Sequence, residues 1–152
     1  MSTLEGKKVK YPVGEHSFRE LRQEGYAYVD KTQLVHQLLN QGKFIFLSRP
    51  RRFGKSLLLS TVEAFYRGEK ELFEGTWLGT HEKEWDQYPV LHFDMTETSG
   101  ESAEEMKAFL LECFEIQERR FGVSINSHIT DVGRRFKNLI WNINEKTGKQ
   151  VL

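Results

Sequence analysis

The sequence has little cysteine and little proline, with one and three residues among 152. A single thiol, Cys113, excludes an internal disulfide and fits a reducing compartment. No apolar run reaches the length of a membrane span, and the N-terminus lacks the pattern of a signal peptide. These absences exclude a disulfide-stabilised secreted domain and predict a cytoplasmic protein without a membrane partner.

The sequence also lacks an excess of charge of either sign, since 22 Lys and Arg balance 22 Asp and Glu. This balance argues against a protein that coats nucleic acid through bulk positive charge. The length predicts one domain with a substantial core. Three arginines and a lysine nevertheless cluster between residues 49 and 55, so local basic chemistry remains.

That basic cluster belongs to the stretch on which the prediction of function depends, KFIFLSRPRRFGKSLLL at residues 43–59. An apolar run of strand length is interrupted at Pro50 and Gly54, and an apolar run of helical length follows. A strand, a loop and a helix in this order are typical of a P-loop. There the N–H groups at the helix N-terminus favour a phosphate, a lysine reaches the outer phosphates and the next hydroxyl binds magnesium.

The match to the usual pattern G-x-x-x-x-G-K-[ST] is incomplete, because Arg49 occupies the position of the first glycine. A residue with a side chain cannot adopt a positive φ cheaply, so the loop has to begin differently. Arg51 and Arg52 add guanidinium groups that can hold phosphate oxygens. The alternative is a basic loop before a helix in which Gly-Lys-Ser occurs by chance.

The strings FLSRPRRFGKSLLLSTVEAFYRGEKELFEG and YPVGEHSFRELRQEGYAYVDKT closely resemble the bacterial AAA-ATPase-like family. The resemblance extends from about Tyr11 to Leu152, and its most specific motifs are R-P-R-R-F-G-K-S and Y-V-D-K-T. It implies a P-loop NTPase-type domain in which Arg49 is a family trait. In longer members a restriction-endonuclease-like nuclease domain commonly follows, and through it a contact with nucleic acid; we do not expect such a domain within these 152 residues.

The resemblance implies binding of ATP, in preference to GTP, together with Mg²⁺. Lys55 is then the catalytic residue that binds the β- and γ-phosphates, and the Ser56 hydroxyl is the metal ligand. The residues expected to bind the nucleotide are Arg49, Pro50, Arg51, Arg52, Phe53, Gly54, Lys55, Ser56 and Leu57.

The order of patterns predicts an α/β fold, P-loop NTPase-like, with a short and mostly parallel sheet flanked by helices. Residues 43–47 and 90–94 are the predicted strands, and residues 149–152 resemble the start of another. Helices are predicted near residues 17–25, 31–40, 55–67, 103–121 and 131–146. We expect a flexible N-terminus at residues 1–10 and one P-loop domain at residues 11–152.

In relatives the strand beginning near Val151 continues into a run that carries the metal-binding acid. This sequence stops before that run, so the predicted sheet is incomplete and hydrolysis is expected only in a longer protein. Asp94 is the other strand-end acid, and it either serves the metal or caps a turn. His92 lacks Cys or His partners at ligand spacing and is expected to be half-buried.

Several residues allow a structural and a functional interpretation. Asp30 can cap the helix that follows it, or the segment from Asp30 to Thr32 can lie beside the nucleotide base, as the resemblance implies. Trp77 and Trp85 fit an aromatic core better than base stacking. The glutamates of residues 103–121 are expected to form a solvated face, and Cys113 to be a core thiol.

A rival function is a binding module that contacts a nucleic-acid backbone or a protein partner through the basic loop, without turnover. Phosphates of a nucleotide and of a polynucleotide attract the same side chains. Magnesium-dependent ATP binding at one site per chain favours the first function, and salt-sensitive DNA binding favours the second. The sequence does not indicate an oligomeric state.

Overall fold

The protein is helical in the computed structural model, which describes residues 10–42, 44–50, 52–98 and 102–152. The α-helices are α1 (Phe18–Gln23), α2 (Thr32–Leu39), α3 (Lys55–Tyr66), α4 (Trp77–His81), α5 (Ala103–Phe121) and α6 (Val132–Thr147). Short 3₁₀ helices span Lys70–Phe73 and Met95–Glu97. None of the helices in these ranges is long and apolar enough to cross a bilayer.

The predicted α/β fold with a parallel sheet is wrong, because no segment of the described ranges forms a β-strand. One isolated parallel bridge joins Lys10 to Tyr26. Lys10 is therefore held by pairing at its backbone, whereas the rest of the predicted flexible N-terminus, residues 1–9, lies outside the described residues. The helices predicted from periodicity are present, and α2, α3, α5 and α6 agree with their predicted bounds within one or two residues.

The apolar run before the loop shows why the strand prediction failed. Phe44 and Phe46 are 97% and 93% exposed, so neither ring is buried against a second layer. A strand is stable only where another strand satisfies its backbone and its side chains pack on neighbours. The described residues offer this run no pairing partner, and a local pattern cannot supply one.

The second predicted strand, Val90–Asp94, and the apolar end of the chain do lie side by side. Leu152 donates its N–H to the Pro89 carbonyl at 2.9 Å and accepts the Leu91 N–H at 2.8 Å. Those two bonds have the pattern of a single parallel pairing. The two predicted strands are therefore absent, and only these two backbone hydrogen bonds join the segments.

The chain divides into two compact units, Met1–Gln87 and Tyr88–Leu152. In the first unit α3 packs against α1 and α2, where the sequence predicted a sheet. The core of this unit contains Phe18, Ala64, Leu72, Phe73 and Leu78.

Trp77 and Trp85 pack against this core. The Trp85 and Phe73 ring centroids are 5.0 Å apart. This packing matches the aromatic-core interpretation of both tryptophans.

Gly79 is required by close packing in the first unit. A Cβ at this position would lie 2.0 Å from the Phe73 carbonyl oxygen. Backbone atoms cannot move away as a side chain can, so any larger residue would displace α4. This contact places α4 tightly against the 3₁₀ helix Lys70–Phe73.

The second unit is built on the pair α5 and α6, with Phe114, Leu139 and Ile143 at its centre. Leu91, Phe93 and Val151 are half-buried against this cluster. Parts of the apolar stripes that predicted both helices are buried in this cluster, whereas Phe109 and Cys113 of the α5 stripe line a cavity.

One glutamate of α5 contradicts the expectation of a solvated face. Glu118 is fully buried and its Oε2 lies 2.7 Å from Nη2 of Arg135 on α6, which is 3% exposed. The residues are 17 positions apart, so helical periodicity within α5 gave no sign of the pair. Burial of both charges makes this a structural ion pair within the second unit.

Candidate functional site

The loop before α3 turns sharply at two positions with positive φ. Arg52 has φ of 67° and Gly54 has φ of 70°. Glycine adopts this conformation without cost, whereas arginine does so rarely. The two turns enclose Phe53 and direct the chain into the first turn of α3.

The N-terminus of α3 carries no capping side chain. Gly54 is the N-cap residue, and no acidic residue stands in the first turn. The first intrahelical bond runs from the Leu58 N–H to the Gly54 carbonyl at 2.9 Å. The N–H groups of Lys55, Ser56 and Leu57 therefore have no intrahelical acceptor, and the helix dipole is positive at this end.

A cavity of about 670 Å³ lies at this helix end. Its volume is within the range of ordinary ligand sites. Its lining combines the start of α3 with a segment before α1: Val13, Gly14, Glu15, His16, Arg52, Gly54, Lys55, Ser56 and Leu57. Two cations, a hydroxyl and free helix donors thus face one cavity, which is the chemistry that holds phosphate groups.

The side chain of Lys55 folds back across the loop and bonds to its backbone. Its Nζ donates to the Arg49 carbonyl at 2.8 Å. An ammonium group has three donors, so two remain for a ligand. The bond also positions the backbone of Arg49, the residue that replaces the first glycine of the usual pattern.

Glu15 lines the same cavity and was not predicted from the sequence. Its Oε1 accepts the backbone N–H groups of Ser17 at 2.8 Å and His16 at 2.9 Å. The bond from Ser17 lowers the pKa of Glu15, so the carboxylate is ionised at neutral pH. Glu15 lies in the motif that carries the family resemblance, but no local pattern links it to a loop 40 residues away.

The structure distributes the predicted nucleotide-binding residues over two cavities. Arg52, Lys55 and Ser56 line the larger one, whereas Arg49 and Phe53 line a second cavity of about 270 Å³. Gly54 and Leu57 line both. Pro50 is exposed on the loop, and Arg51 lies outside the described residues.

Asp30 and Thr32 have structural roles, although the N-cap residue of α2 is Lys31 and not Asp30 as the capping interpretation predicted. Asp30 Oδ1 accepts the Thr32 N–H at 2.8 Å, and its Oδ2 accepts the Trp77 N–H at 2.6 Å. Thr32 Oγ1 accepts the Leu78 N–H at 3.0 Å. Partial burial opposes the ionisation of Asp30, but these hydrogen bonds lower the pKa of its carboxyl group. Both residues therefore join the starts of α2 and α4.

Lys31, between them, lies elsewhere. It is exposed and lines the 270 Å³ cavity together with Arg49 and Phe53 of the loop. The motif Y-V-D-K-T thus contributes two structural residues, Asp30 and Thr32, and three residues that line this cavity, Tyr28, Val29 and Lys31.

Three further residues considered in the sequence line a cavity of about 340 Å³ in the second unit. These are His92, Asp94 and Cys113. Asp94 Oδ1 accepts the Thr96 N–H at 2.9 Å, and this bond lowers the pKa of Asp94. Its carboxylate therefore stabilises the turn after Phe93, which is the structural alternative given for it above.

The family described as a predicted AAA-ATPase matches residues 12–152. The chain is also similar to a protein of Azotobacter chroococcum mcd 1, described as an uncharacterized protein in the vnfD 5′ region. The two are 35% identical over 147 residues, which are 94% of this chain and 28% of the relative. The chain thus spans less than a third of that relative's length. No solved structure matches the chain.

Proposed function

This chain belongs to the predicted AAA-ATPase family, and from that premise we propose that it binds ATP with magnesium at the N-terminus of α3. One observation supports the proposal most directly. The free N–H groups of α3 face the same cavity as Arg52, Lys55 and Ser56. Phosphate groups satisfy such donors and are attracted by both cations.

The phosphate chain would lie across the first turn of α3. The backbone donors at Lys55 and Ser56 bind its oxygens, and the two remaining donors of the Lys55 ammonium reach the β- and γ-phosphates. Arg52, held with positive φ, adds a guanidinium group from the loop. Each of these groups is exposed, so binding would not require the core to open.

The residues of the cavity also fit a magnesium ion. The Ser56 hydroxyl and the Glu15 carboxylate are oxygen donors of the kind that Mg²⁺ prefers. Magnesium, when bound, neutralises charge on the β- and γ-phosphates. Glu15 Oε1 already accepts two N–H groups, and its carboxylate also shares a hydrogen bond with the Glu20 side chain, so magnesium would compete with Glu20 for it.

Hydrolysis stays a prediction for longer members of the family. It requires a residue that positions water and an acid that holds the metal, in addition to the phosphate loop. Asp94 is engaged in its own turn, so we do not assign it this role. A nuclease domain that follows the P-loop domain, and contact with nucleic acid through it, are likewise predictions for longer relatives.

Isothermal titration of the full chain with ATP, with and without Mg²⁺, tests the proposal. We expect one site per chain, with tighter binding in the presence of magnesium. Lys55→Ala should weaken binding by roughly hundredfold or more, since hydrogen bonds to charged groups are each worth about 1.5–3 kcal/mol. Lys137→Ala is the matched control, because this lysine is an exposed residue of α6.

The rival function predicts a different pattern in the same samples. A loop that binds a polynucleotide backbone would bind single- or double-stranded DNA, with an affinity that falls steeply as salt rises. If the parent chain gives no heat with ATP but binds DNA, and Lys55→Ala abolishes the DNA binding, then the ligand of this loop is a nucleic acid and not a nucleotide. An unchanged ATP affinity in Lys55→Ala would remove the phosphate role from this residue.

A further inference from the structure

The 340 Å³ cavity of the second unit lies between α5 and the extended segment before the 3₁₀ helix Met95–Glu97. One wall is a face of α5 whose residues are three or four positions apart: Phe109, Glu112, Cys113, Ile116 and Gln117. The other wall is formed by His92, Phe93 and Asp94. None of these residues belongs to the phosphate loop, so a ligand of this cavity is independent of the proposed function.

Gln117 carries a buried acceptor at this cavity. The residue is 7% exposed, and its Oε1 finds no hydrogen-bond partner among the described residues. Its Nε2 donates to the His92 carbonyl at 3.3 Å, which holds the amide group against the opposite wall. Buried polar atoms are nearly always hydrogen-bonded in folded proteins. A donor is therefore expected at the Gln117 carbonyl.

The charges at the cavity are acidic. Asp94 and Glu112 are exposed there, and no lysine or arginine is among the described residues that line it. The hydrogen bond from the Thr96 N–H lowers the pKa of Asp94, so this carboxylate is ionised at neutral pH. Arg119 on the same helix bonds to Glu115 instead, at 2.8 Å. A ligand that complements this lining is a cation with N–H donors.

Apolar groups surround these acceptors. The Phe93 ring packs edge-on against Phe114 and Phe136 of the core, with centroids 5.7 Å and 6.0 Å apart, so it forms a fixed wall. Phe109 and Ile116 add apolar surface from α5, and Ile116 is 55% exposed. Aromatic rings attract guanidinium groups, which are weakly hydrated, and an alkyl chain covers apolar surface that is otherwise in water.

We propose that this cavity binds a guanidinium group on an alkyl chain, which donates to the Gln117 carbonyl and to the carboxylates of Asp94 and Glu112. A guanidinium group has five N–H donors in one plane and no acceptor, so it can serve an amide oxygen and a carboxylate together. The cavity volume lies at the lower end of the range for small-ligand sites. The group belongs either to a free small molecule or to an arginine side chain of a protein partner.

NMR titration of the full chain with butylguanidinium, resolved by residue, tests the proposal. We expect saturable shifts of the amides at residues 92–94 and 109–117, with one site per chain. Butylurea has a similar shape without the charge and should bind at least tenfold more weakly. Methylguanidinium is shorter by three methylene groups and should bind roughly tenfold more weakly, because it covers less apolar surface.

Three variants separate a binding role from a structural one. Gln117→Met removes the carbonyl at nearly constant volume and should weaken binding by roughly tenfold or more, as for one hydrogen bond to a charged group. Glu112→Gln, at an exposed position, should weaken binding several-fold and leave the melting temperature unchanged. Glu104→Gln is the matched control, since Glu104 is an exposed glutamate of α5 that does not line the cavity. It should change neither quantity.

A blocked peptide, acetyl-Gly-Arg-Gly-amide, distinguishes the two sources of the guanidinium group. If the peptide binds at least as tightly as butylguanidinium, the ligand is the arginine side chain of a partner. If the peptide binds more weakly, the ligand is a free small molecule. No saturable binding of either probe, or equally tight binding of butylurea, would overturn the proposal. Unchanged affinity for butylguanidinium in both Gln117→Met and Glu112→Gln would overturn it as well.

Discussion

The N-termini of the long helices differ between the two units. In the second unit α5 and α6 begin after Ser102 and Asp131, whose side chains accept the N–H groups of Glu105 at 3.1 Å and Arg134 at 2.7 Å. In the first unit α3 begins after Gly54, which has no side chain to offer.

The difference shows where an anion can bind. Every helix start presents the same unsatisfied donors, so the sequence around it decides what satisfies them. Glu104 and Glu105 add negative charge to the first turn of α5 and would repel a phosphate. Lys55 adds positive charge to the first turn of α3. In the second unit Ser102 and Asp131 satisfy helix donors internally, whereas in the first unit Arg52 and Lys55 line a cavity at the start of α3.

The largest expected effect is on the buried ion pair of the second unit. Glu118→Ala should lower the free energy of unfolding of this unit by about 3 kcal/mol, the lower end of the range for a broken buried pair. Arg135 would lose its buried partner and keep only Glu115, whose Oε2 lies 3.8 Å from its Nη2. Urea denaturation followed by hydrogen exchange in α5 and α6 measures the change. Glu112→Ala, at an exposed position of the same helix, should cost less than about 0.5 kcal/mol.

A double variant sharpens this test. Glu118→Leu with Arg135→Met removes both charges, and such replacements are often neutral or stabilising. We expect it to recover most of the stability lost in Glu118→Ala. If the double variant is as unstable as the single one, packing volume and not the unpaired charge explains the loss.

The next effect distinguishes the helix starts by ligand binding. At an ATP concentration about 100 times Kd, the amides of Lys55, Ser56 and Leu57 should exchange up to about a hundredfold more slowly, since only the free form exchanges. The first-turn amides of α5 and α6 should be unaffected. Hydrogen exchange resolved by residue measures both. Protection at α5 equal to that at α3 would refute the contrast between capped and open starts.

A smaller effect concerns the cap of α6. Asp131→Ala should lower the stability of the second unit by about 1 kcal/mol, because the Arg134 N–H loses its acceptor. Asp131→Asn keeps an acceptor oxygen and should be close to neutral. Thermal denaturation of the parent protein and both variants under the same conditions measures these differences in stability. Equal losses in both variants would indicate that charge, and not the hydrogen bond, matters here.

The smallest expected effect is on the pH dependence of the stability of the first unit. Because the pKa of Asp30 is lower in the folded state, its contribution to stability is complete above the unfolded pKa of about 4. It is lost as the pH falls through the lower folded value. Denaturation of Asp30→Asn between pH 2 and pH 7 should therefore show a weaker loss of stability in acid than the parent protein. If the stability of Asp30→Asn and of the parent protein fell equally with pH, the stabilising role of the Asp30 carboxylate would be contradicted.

The helices show which parts of the fold local sequence patterns predict. The apolar periodicity of residues 103–121 and 131–146 predicted α5 and α6, and Gly-Lys-Ser predicted the start of α3. Caps, glycines and apolar periodicity depend on interactions within a few residues, so they can be identified from the sequence alone. The predicted strand at residues 43–47 failed because pairing is not a local property.

The contacts that were missed all join distant segments. Glu118 is charged and belongs to a helix whose other glutamates are largely exposed, so only the position of Arg135 on α6 makes it a core residue. Glu15 lines the same cavity as Ser56 because a segment before α1 packs at the start of α3. Neither relation leaves a pattern within one element.

The sequence by itself determined the helices, their caps and the basic loop with its Gly-Lys-Ser junction, since each depends on interactions within a few positions. The tertiary structure decided the rest. It left Phe44 and Phe46 without a sheet, paired Glu118 with Arg135, and divided the residues of the loop between two cavities. The physical reason is that burial and pairing depend on which distant segments meet, and chain-neighbour chemistry does not specify that.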